Sequence, residues 1–175
     1  LLSAVIENVS SESFLEQMQS QVFEPLGMLD TTADQNEMII ADRVRPYVRD
    51  DDGKFRNAPH VDNSYKWAGG GFLSTAADLV KFGLAHMAPG FLEAETLDEW
   101  FTSQRIADGE ETGYGIGWSV SGQDANRRVG HGGGSVGGTT TLGIYLDQGL
   151  VIAMVTNLSD SGGFPVDEIA EIFLR

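Results

Sequence analysis

A cluster of glycines that runs directly into β-branched residues constrains the fold of this chain more than any other feature. Residues 129–142 read VGHGGGSVGGTTTL. Glycine permits positive φ and close approach of the backbone to a ligand, so a substrate could meet main-chain N–H groups here. Because the β-branched run favours a strand, the sequence predicts a loop that leads into a strand and not into a helix.

Two known motifs share these letters, and their context excludes both. Residues 132–137 fit G-x-G-x-x-G, but a dinucleotide-binding loop leads into a helix whose N-terminus holds the pyrophosphate. Residues 133–137 fit the G-x-S-x-G nucleophile elbow of α/β-hydrolases, in which the catalytic histidine follows the serine. All histidines of this chain precede Ser135, namely His60, His86 and His131.

Four segments in a fixed order carry a different pattern. They are residues 23–32 (FEPLGMLDTT), 68–79 (AGGGFLSTAADL), 114–118 (YGIGW) and 131–133 (HGG), the last followed by two hydrophobic runs that end at Asn157. Together they resemble the penicillin-binding-protein and serine β-lactamase superfamily, in which a [Lys/His]-x-Gly element lies on a strand beside the active site. The resemblance covers nearly the whole chain. It implies an α+β fold, with an antiparallel sheet flanked by helices, as a partial β-lactamase/transpeptidase-like fold that lacks its N-terminal part.

The resemblance also predicts how the chain is divided. Residues 1–112 are expected to form a helix-rich segment of the all-α region, and residues 113–175 the antiparallel sheet and C-terminal helix of the α/β region. The nucleophile elements of the superfamily, Ser-x-x-Lys and Tyr-x-Asn or Ser-x-Asn, are absent from the 175 residues. Residues 1–7 resemble the helix that follows Tyr-x-Asn. The sequence therefore predicts the C-terminal part of a larger enzyme.

Each residue of the glycine cluster gains a role from the resemblance. His131 matches the Lys or His that lines the site, helps to set the protonation of the catalytic cluster and attracts substrate anions. Gly133 matches the motif glycine, where a side chain would block the approach of the strand to the substrate. Gly134 matches the residue whose N–H forms half of the oxyanion hole, a donor worth roughly 2.7–4 kcal/mol of barrier. Ser135 is a candidate for substrate binding. The structural alternatives are a loop histidine bonded to a backbone carbonyl and a turn serine.

Gly132 bears on the substrate. Family members that bind β-lactams or peptide C-termini usually carry Ser or Thr at this position, and the hydroxyl helps to hold the substrate carboxylate. Glycine supplies no hydroxyl, and histidine, unlike lysine, is mostly uncharged at pH 7. A hydrogen bond to a charged group is worth about 1.5–3 kcal/mol. The sequence therefore predicts an enzyme that prefers neutral ester or amide acyl groups and hydrolyses penicillins poorly.

The chemistry implied for the complete protein is acyl transfer without a cofactor. A serine activated by lysine attacks an ester, amide or lactam carbonyl, and water then hydrolyses the acyl-enzyme. The expected partners are a small-molecule substrate and either the missing N-terminal part of the protein or a second copy of the chain. The alternative is an inactive family member that acts as a binding or assembly protein. The residues leave the cellular location open, and the resemblance favours the periplasm or secretion.

Composition narrows the classes of partner. The chain has 11 basic and 26 acidic residues and a net charge of −15 at pH 7, which argues against nucleic acid or membrane partners. The histidines lack ligand spacing, so no metal site is expected. The acidic run 50–52 precedes Gly53 and predicts a solvated hairpin tip instead of a calcium site.

The coarse secondary structure runs from helices to sheet. Local patterns predict a capping box at Ser13, a helix face of Phe14, Met18 and Val22, helices capped by Thr75 and Thr96, and a core role for Tyr114 and Trp118. Strands are predicted at 115–120, 127–131, 139–146 and 150–156, with a hairpin turn at 147–149. An amphipathic helix is predicted at 166–174.

Overall fold

The structure, a computed structural model, describes residues 1–122 and 127–174. The helices are α1 (Leu2–Ser10), α2 (Phe14–Met18), α3 (Ala76–Ala85), α4 (Ala94–Trp100) and α5 (Val166–Phe173). The strands are β1 (Thr32–Ala33), β2 (Tyr47–Arg49), β3 (Phe55–Asn57), β4 (Phe72–Leu73), β5 (Ser119–Ser121), β6 (Arg128–Ser135), β7 (Gly138–Tyr145) and β8 (Leu150–Thr156). A π-helix at Gln19–Phe23 continues α2, and Trp67–Gly69 forms a 3₁₀ turn. No helix within the described ranges is long and apolar enough to cross a membrane.

Strands β5 to β8 form an antiparallel sheet in sequence order, with helices on both faces. One face packs against α3 and α4 over a core of Leu97, Phe101, Trp118, Val129, Leu142 and Ile144. The other face packs against α5 through Tyr145, Ile152, Val166 and Ala170. This arrangement confirms the predicted α+β fold with an antiparallel sheet flanked by helices.

Several local predictions are confirmed where a side chain caps a helix or a short turn joins two strands. Ser13 and Glu16 form the capping box of α2, and the Thr75 hydroxyl accepts from the Asp78 N–H at the start of α3. The acidic run lies at the tip of the β2–β3 hairpin, and a short turn joins β7 to β8. The amphipathic C-terminal helix is α5, which ends at Phe173.

The glycine cluster is part of the sheet, so the prediction of a loop at this point is wrong. The strand predicted at 127–131 continues to Ser135, and three consecutive glycines pair with three threonines of β7: Gly132 with Thr141, Gly133 with Thr140 and Gly134 with Thr139. The β-branched threonines supply the strand propensity that the glycines lack. The turn that joins β6 to β7 therefore consists of Val136 and Gly137, and Gly137 has a φ of +80°.

The strand predicted at 115–120 is shorter than expected. Gly115 N–H donates to the Trp118 carbonyl at 2.7 Å, which makes 115–118 a tight turn. A Cβ at Gly115 would lie 2.0 Å from the Trp100 carbonyl oxygen, and Gly117 has a φ of +77°. The two glycines therefore allow a chain reversal against α4, and pairing begins only at Ser119.

The predicted start of α4 at Thr96 is also wrong. The helix begins at Ala94 with Glu93 as its N-cap residue and without a side-chain cap. Leu97 and Phe101, 6% and 4% exposed, lie one turn apart on the buried face. Burial of two large side chains contributes more to this helix than a single hydroxyl cap would, since such a cap is worth about 1 kcal/mol.

The helix after Ser13 buries Phe23 instead of the predicted Val22. The Glu24 N–H donates to the Gln19 carbonyl at 3.0 Å, an i to i+5 bond of the π-helix. A π-turn adds about one residue to an α-helical turn and shifts the buried face by one position. Phe23 consequently packs edge-on against Phe72 of β4, with ring centroids 5.3 Å apart.

Candidate active site

Three alternate residues of β6, His131, Gly133 and Ser135, form a surface that we call the site face. Successive side chains of a strand point to opposite faces. The site face therefore continues the face of Val129, which is fully buried between the sheet and the helices α3 and α4. Residues 131–135 are exposed. The core ends between Val129 and His131, and β6 continues as open surface.

Beyond Gly130, the edge of β6 that faces away from β7 has no partner strand among the described residues, and we call it the free edge. Gly132 and Gly134 present backbone hydrogen-bonding groups there. The two-residue turn makes Ser135 and Gly138 a pair that exchanges both backbone hydrogen bonds, and such pairs alternate along an antiparallel ladder. Gly132 and Gly134 lie between these pairs, so their N–H and C=O groups point away from β7. Pairing with β5 ends at Gly130. The N–H of Gly134 therefore faces the free edge beside the site face.

Tyr114 contacts the His131 imidazole, which corrects the prediction that Tyr114 belongs to the core. Its hydroxyl lies 2.8 Å from His131 Nε2, and the two rings meet edge to face. Tyr114 is 40% exposed, whereas Trp118 is 5% exposed and lies in the core as predicted. The reason is the turn at 115–118, which reverses the chain and brings Tyr114 opposite Ser119 at the end of β5. The phenol fixes the orientation of the imidazole.

Lys66 reaches the other end of the site face. Its Nζ donates to Ser135 Oγ at 3.2 Å, across 69 positions of sequence. The Lys66 N–H donates to the Asn63 carbonyl, and the Asn63 amide donates to Asp34 Oδ2 at 2.6 Å. A Cβ at Gly71 would lie 2.9 Å from the Trp67 ring, so the segment 63–71 is closely packed. The backbone that carries Lys66 is thus held in place.

The turn end of β6 is held by Ser159. Its hydroxyl accepts from the Gly137 N–H at 2.6 Å and donates to the Ser135 carbonyl at 3.1 Å. A Cβ at Gly137 would lie 2.1 Å from Pro46 Cβ, so the segment before β2 covers this turn closely. These contacts position Ser135 through its backbone.

A buried carboxylate ties α3 to the loop that follows the π-helix. Asp78, fully buried, accepts hydrogen bonds from the Asp30 N–H, the Thr31 hydroxyl and Lys81 Nζ at 2.7–2.9 Å. Burial opposes the charged form, but the hydrogen bonds from Lys81, Thr31 and Asp30 and the Lys81 charge outweigh it and hold the pKa of Asp78 below its usual value. Two of the family-like segments, 23–32 and 68–79, meet through this carboxylate.

Other titratable groups of interest lie away from the site face. His86 is 1% exposed, its Nδ1 lies 2.7 Å from the Phe82 carbonyl, and burial lowers its pKa. A cleft of about 400 Å³ lies beside α5, on the opposite face of the sheet. There the Tyr145 hydroxyl donates to Asp167 at 2.7 Å, and burial together with that bond raises the pKa of Tyr145 to about 12.

Comparison with known proteins identifies the family. The family model described as Beta-lactamase matches residues 1–174. The chain belongs to the Beta-lactamase family. The serine beta-lactamase-like protein LACTB, mitochondrial, of Bos taurus is 32% identical over 201 residues, which cover 93% of this chain and 36% of that protein. The chain thus spans about a third of the length of the curated relatives it matches.

Solved structures of the same fold include two proteins of different origin. The octameric penicillin-binding protein homologue of Pyrococcus abyssi superimposes with a TM-score of 0.78 at 26% identity and covers 98% of this chain and 40% of that one. The D-amino acid amidase of Ochrobactrum anthropi SV3 gives a TM-score of 0.79 at 24% identity and covers 98% and 54%. At 24% identity, the similarity to the amidase shows a shared fold only.

Sequence patterns predict the candidate site strand of this Beta-lactamase family member but miss two side chains that contact it. His131, Gly133 and Ser135 share one face, and Gly132 and Gly134 lie at the free edge, all within the predicted motif. Tyr114 could have been recognised because two glycines follow it within three residues, a signal for a tight turn. Lys66 has no local signal, because its contact with Ser135 spans 69 positions.

Proposed function

We propose that the intact protein is a serine hydrolase that forms an acyl-enzyme on an ester, amide or lactam carbonyl. In this proposal the chain supplies one wall of the site, and the nucleophilic serine lies outside these 175 residues. Family membership supports the reaction class. The absence of Ser-x-x-Lys from the sequence supports a nucleophile that lies outside these 175 residues. The serine attacks the carbonyl, the oxyanion forms, and water hydrolyses the acyl-enzyme.

The observation that carries this proposal is the free edge of β6. An oxyanion hole needs backbone donors that are held in place before the charge develops. The N–H of Gly134 points away from β7, at an exposed position of a strand that is paired on its other side. We assign it as one of the two oxyanion donors. Gly133 keeps the strand surface low beside the reacting carbonyl.

His131 is proposed to act on the reacting groups, and Tyr114 to position it. The imidazole is exposed on the site face, and the tyrosine hydroxyl 2.8 Å from its Nε2 restricts the ring to one orientation. An oriented histidine donates or accepts a proton at a defined point, which typically contributes a factor of about 10²–10⁴ to a rate. Tyr114 acts through His131 and is a positioning residue.

Ester or amide substrates are proposed in preference to β-lactams. The reason is Gly132, which supplies no hydroxyl for the carboxylate that a β-lactam carries next to the reacting amide. The loss of one hydrogen bond to a charged group costs about 1.5–3 kcal/mol of recognition.

A pair of variants at Gly134 tests the proposal. Gly134→Pro removes the N–H, and proline is tolerated on the free side of an edge strand. Gly134→Ala keeps the N–H, and a Cβ there meets nothing within 4 Å. We expect the intact protein to hydrolyse 4-nitrophenyl hexanoate, Gly134→Pro to lower kcat by roughly 10²–10³, and Gly134→Ala to stay within about threefold. Thermal melting of each variant checks that the fold is kept.

Two results would contradict parts of this proposal. An intact protein that hydrolyses neither esters nor amides would support the second candidate, a binding or assembly member of the family. Equal losses in Gly134→Pro and Gly134→Ala would remove Gly134 from the oxyanion hole.

A further inference from the structure

We propose that Lys66, held beside Ser135, binds a carboxylate of the substrate and is a specificity-determining residue of the site. The inference rests on the proposed function. It adds a second end to the site face, opposite His131, and names the chemistry recognised there.

The three lysines of the chain differ in the partners of their ammonium groups. Lys54 pairs with Asp52, and Lys81 pairs with the buried carboxylate of Asp78. Among the described residues, the contact found for the Lys66 ammonium is the neutral hydroxyl of Ser135. An ammonium has three N–H donors, so one bond to a hydroxyl leaves donors for an anion. In a chain of net charge −15, this ammonium differs from the other two lysines because it has no carboxylate partner within the described ranges.

The second observation is that both partners are fixed by their backbones. The packed segment 63–71 holds Lys66, and Ser159 bonds the Ser135 carbonyl and the Gly137 N–H, which holds the turn directly after the Ser135 side chain. The lysine side chain therefore arrives at Ser135 from a defined origin. The bond to Ser135 already limits the rotamers of the lysine, so anion binding costs less side-chain entropy than it would for an unbonded surface lysine.

The third observation is the position of this pair relative to the proposed oxyanion donor. Ser135 follows Gly134, and one residue of a strand spans about 3.4 Å. The ammonium lies 3.2 Å beyond the serine hydroxyl. A carboxylate separated from the reacting carbonyl by a few methylene groups would reach it. The neutral preference expected from Gly132 is thereby limited to carboxylates next to the reacting carbonyl, because the anion site lies at the other end of the site face.

Lys66 and Ser135 also have the composition of a Ser–Lys catalytic dyad, and the surroundings argue against that role. A lysine serves as a base when it is desolvated and loses its proton. Lys66 is only partly buried, and Ser135 is exposed next to a hairpin turn. The pair of Lys66 and Ser135 therefore lacks the desolvated setting of a Ser–Lys dyad.

Two pairs of esters test the inference in the intact protein. The first pair is 4-nitrophenyl hydrogen adipate and its methyl ester, which differ in a carboxylate on the acyl side. The second is 3-carboxyphenyl hexanoate and its methyl ester, with the carboxylate on the leaving group. We expect the wild type to prefer the anionic member of one pair by about five- to fiftyfold in kcat/KM, between the value of an exposed ion pair and that of a charged hydrogen bond. The pair that responds tells which side of the substrate Lys66 binds.

Variants separate charge from structure. Lys66→Gln should abolish the preference for the anionic ester, Lys66→Arg should retain most of it, and the hairpin-tip control Lys54→Gln should leave kcat/KM of both esters unchanged. Equal losses on anionic and neutral esters, or no preference in the wild type, would overturn the assignment of Lys66 while leaving the hydrolase intact. A protein that turns over neither member of either pair would overturn the proposed function and this inference with it.

Discussion

At the scale of single residues, His131, which Tyr114 orients, is the residue expected to affect the reaction most directly. His131→Ala should lower kcat/KM of the intact protein for a neutral ester roughly tenfold to a thousandfold, because it removes the group proposed to act on the reacting atoms. The melting temperature should change little, since the imidazole is exposed. Steady-state kinetics with 4-nitrophenyl hexanoate measure the effect. An unchanged kcat/KM would make His131 a structural residue.

The role of Tyr114 is tested by its coupling to His131. Tyr114→Phe removes the hydroxyl 2.8 Å from Nε2 and keeps the ring, so we expect a several-fold fall in kcat with little change in KM. In a His131→Ala background the same change should have no further effect, since a positioning residue acts only through the residue it positions. Additive losses would show that the tyrosine acts on its own.

Gly132 carries a prediction about substrate choice. A Cβ at Gly132 would lie 3.7 Å from the Thr140 carbonyl oxygen, an ordinary contact distance, so Gly132→Thr should fold. We expect a threonine hydroxyl at this free-edge position to supply the missing bond and to raise kcat/KM for a cephalosporin about tenfold relative to a neutral ester, the value of one bond to a charged group. A wild type that already hydrolyses the cephalosporin as well as the ester would refute the argument from Gly132.

The residues of the site differ in how far sequence predicts them. The motif around His131 names a contiguous strand, and a strand has a fixed alternation, so five candidate residues follow from one stretch of letters. Tyr114 and Lys66 reach the same surface from segments 17 and 69 positions away. The two glycines after Tyr114 signal the turn that carries it, whereas no local pattern indicates the contact of Lys66 with Ser135.

At the scale of elements, Asp78 joins α3 to the loop at 28–31 and should be important for stability. Asp78→Asn loses the charge that Lys81 and Thr31 bond, so we expect the free energy of unfolding at pH 7 to fall by about 1.5–3 kcal/mol. The exposed helical residue Asp98 gives a matched control in Asp98→Asn, which should stay within about 0.5 kcal/mol. Urea denaturation of both variants measures the difference.

The same carboxylate predicts a pH dependence. Its pKa is lower in the folded chain than the value near 3.8 of a free side chain, so the folded state binds fewer protons. The stability that Asp78 contributes is therefore fully present above about pH 4 and is lost as the pH falls through the folded pKa. The gap between wild type and Asp78→Asn should narrow in urea titrations below pH 4. A constant gap down to pH 2 would contradict this account.

Elements with a local cause were predictable, and those shaped by tertiary contacts were not. The caps at Ser13 and Thr75 act within four residues, so the sequence alone predicts them. The glycine run became a strand only because threonines of β7 pair with it. The π-helix shifts the buried face of the helix by one residue, so that Phe23 and not Val22 packs against Phe72. In each failure a contact with another element decided the outcome.

At the scale of the whole molecule, the sheet separates two environments. The face beneath α5 packs around the buried Tyr145, which bonds Asp167, whereas the opposite face changes from buried core at Val129 to open surface at His131. The family relatives are about three times as long as the matched region, and the proposal assigns the nucleophile to sequence beyond this chain. The open part of the face is where such a nucleophile would approach.

Mapping the nucleophile provides the last prediction and separates the two possible uses of Ser135. A fluorophosphonate probe reacts with an activated serine, and no serine of these 175 residues has a lysine three positions later. We expect the probe to label the intact protein on a serine outside this chain, and to leave the 175-residue chain unlabelled when it is made alone. Peptide mass spectrometry after digestion locates the label. Stoichiometric label on Ser135 would instead make Lys66 its base, and would overturn both the division of the site between two parts of the protein and the anion-binding role of Lys66.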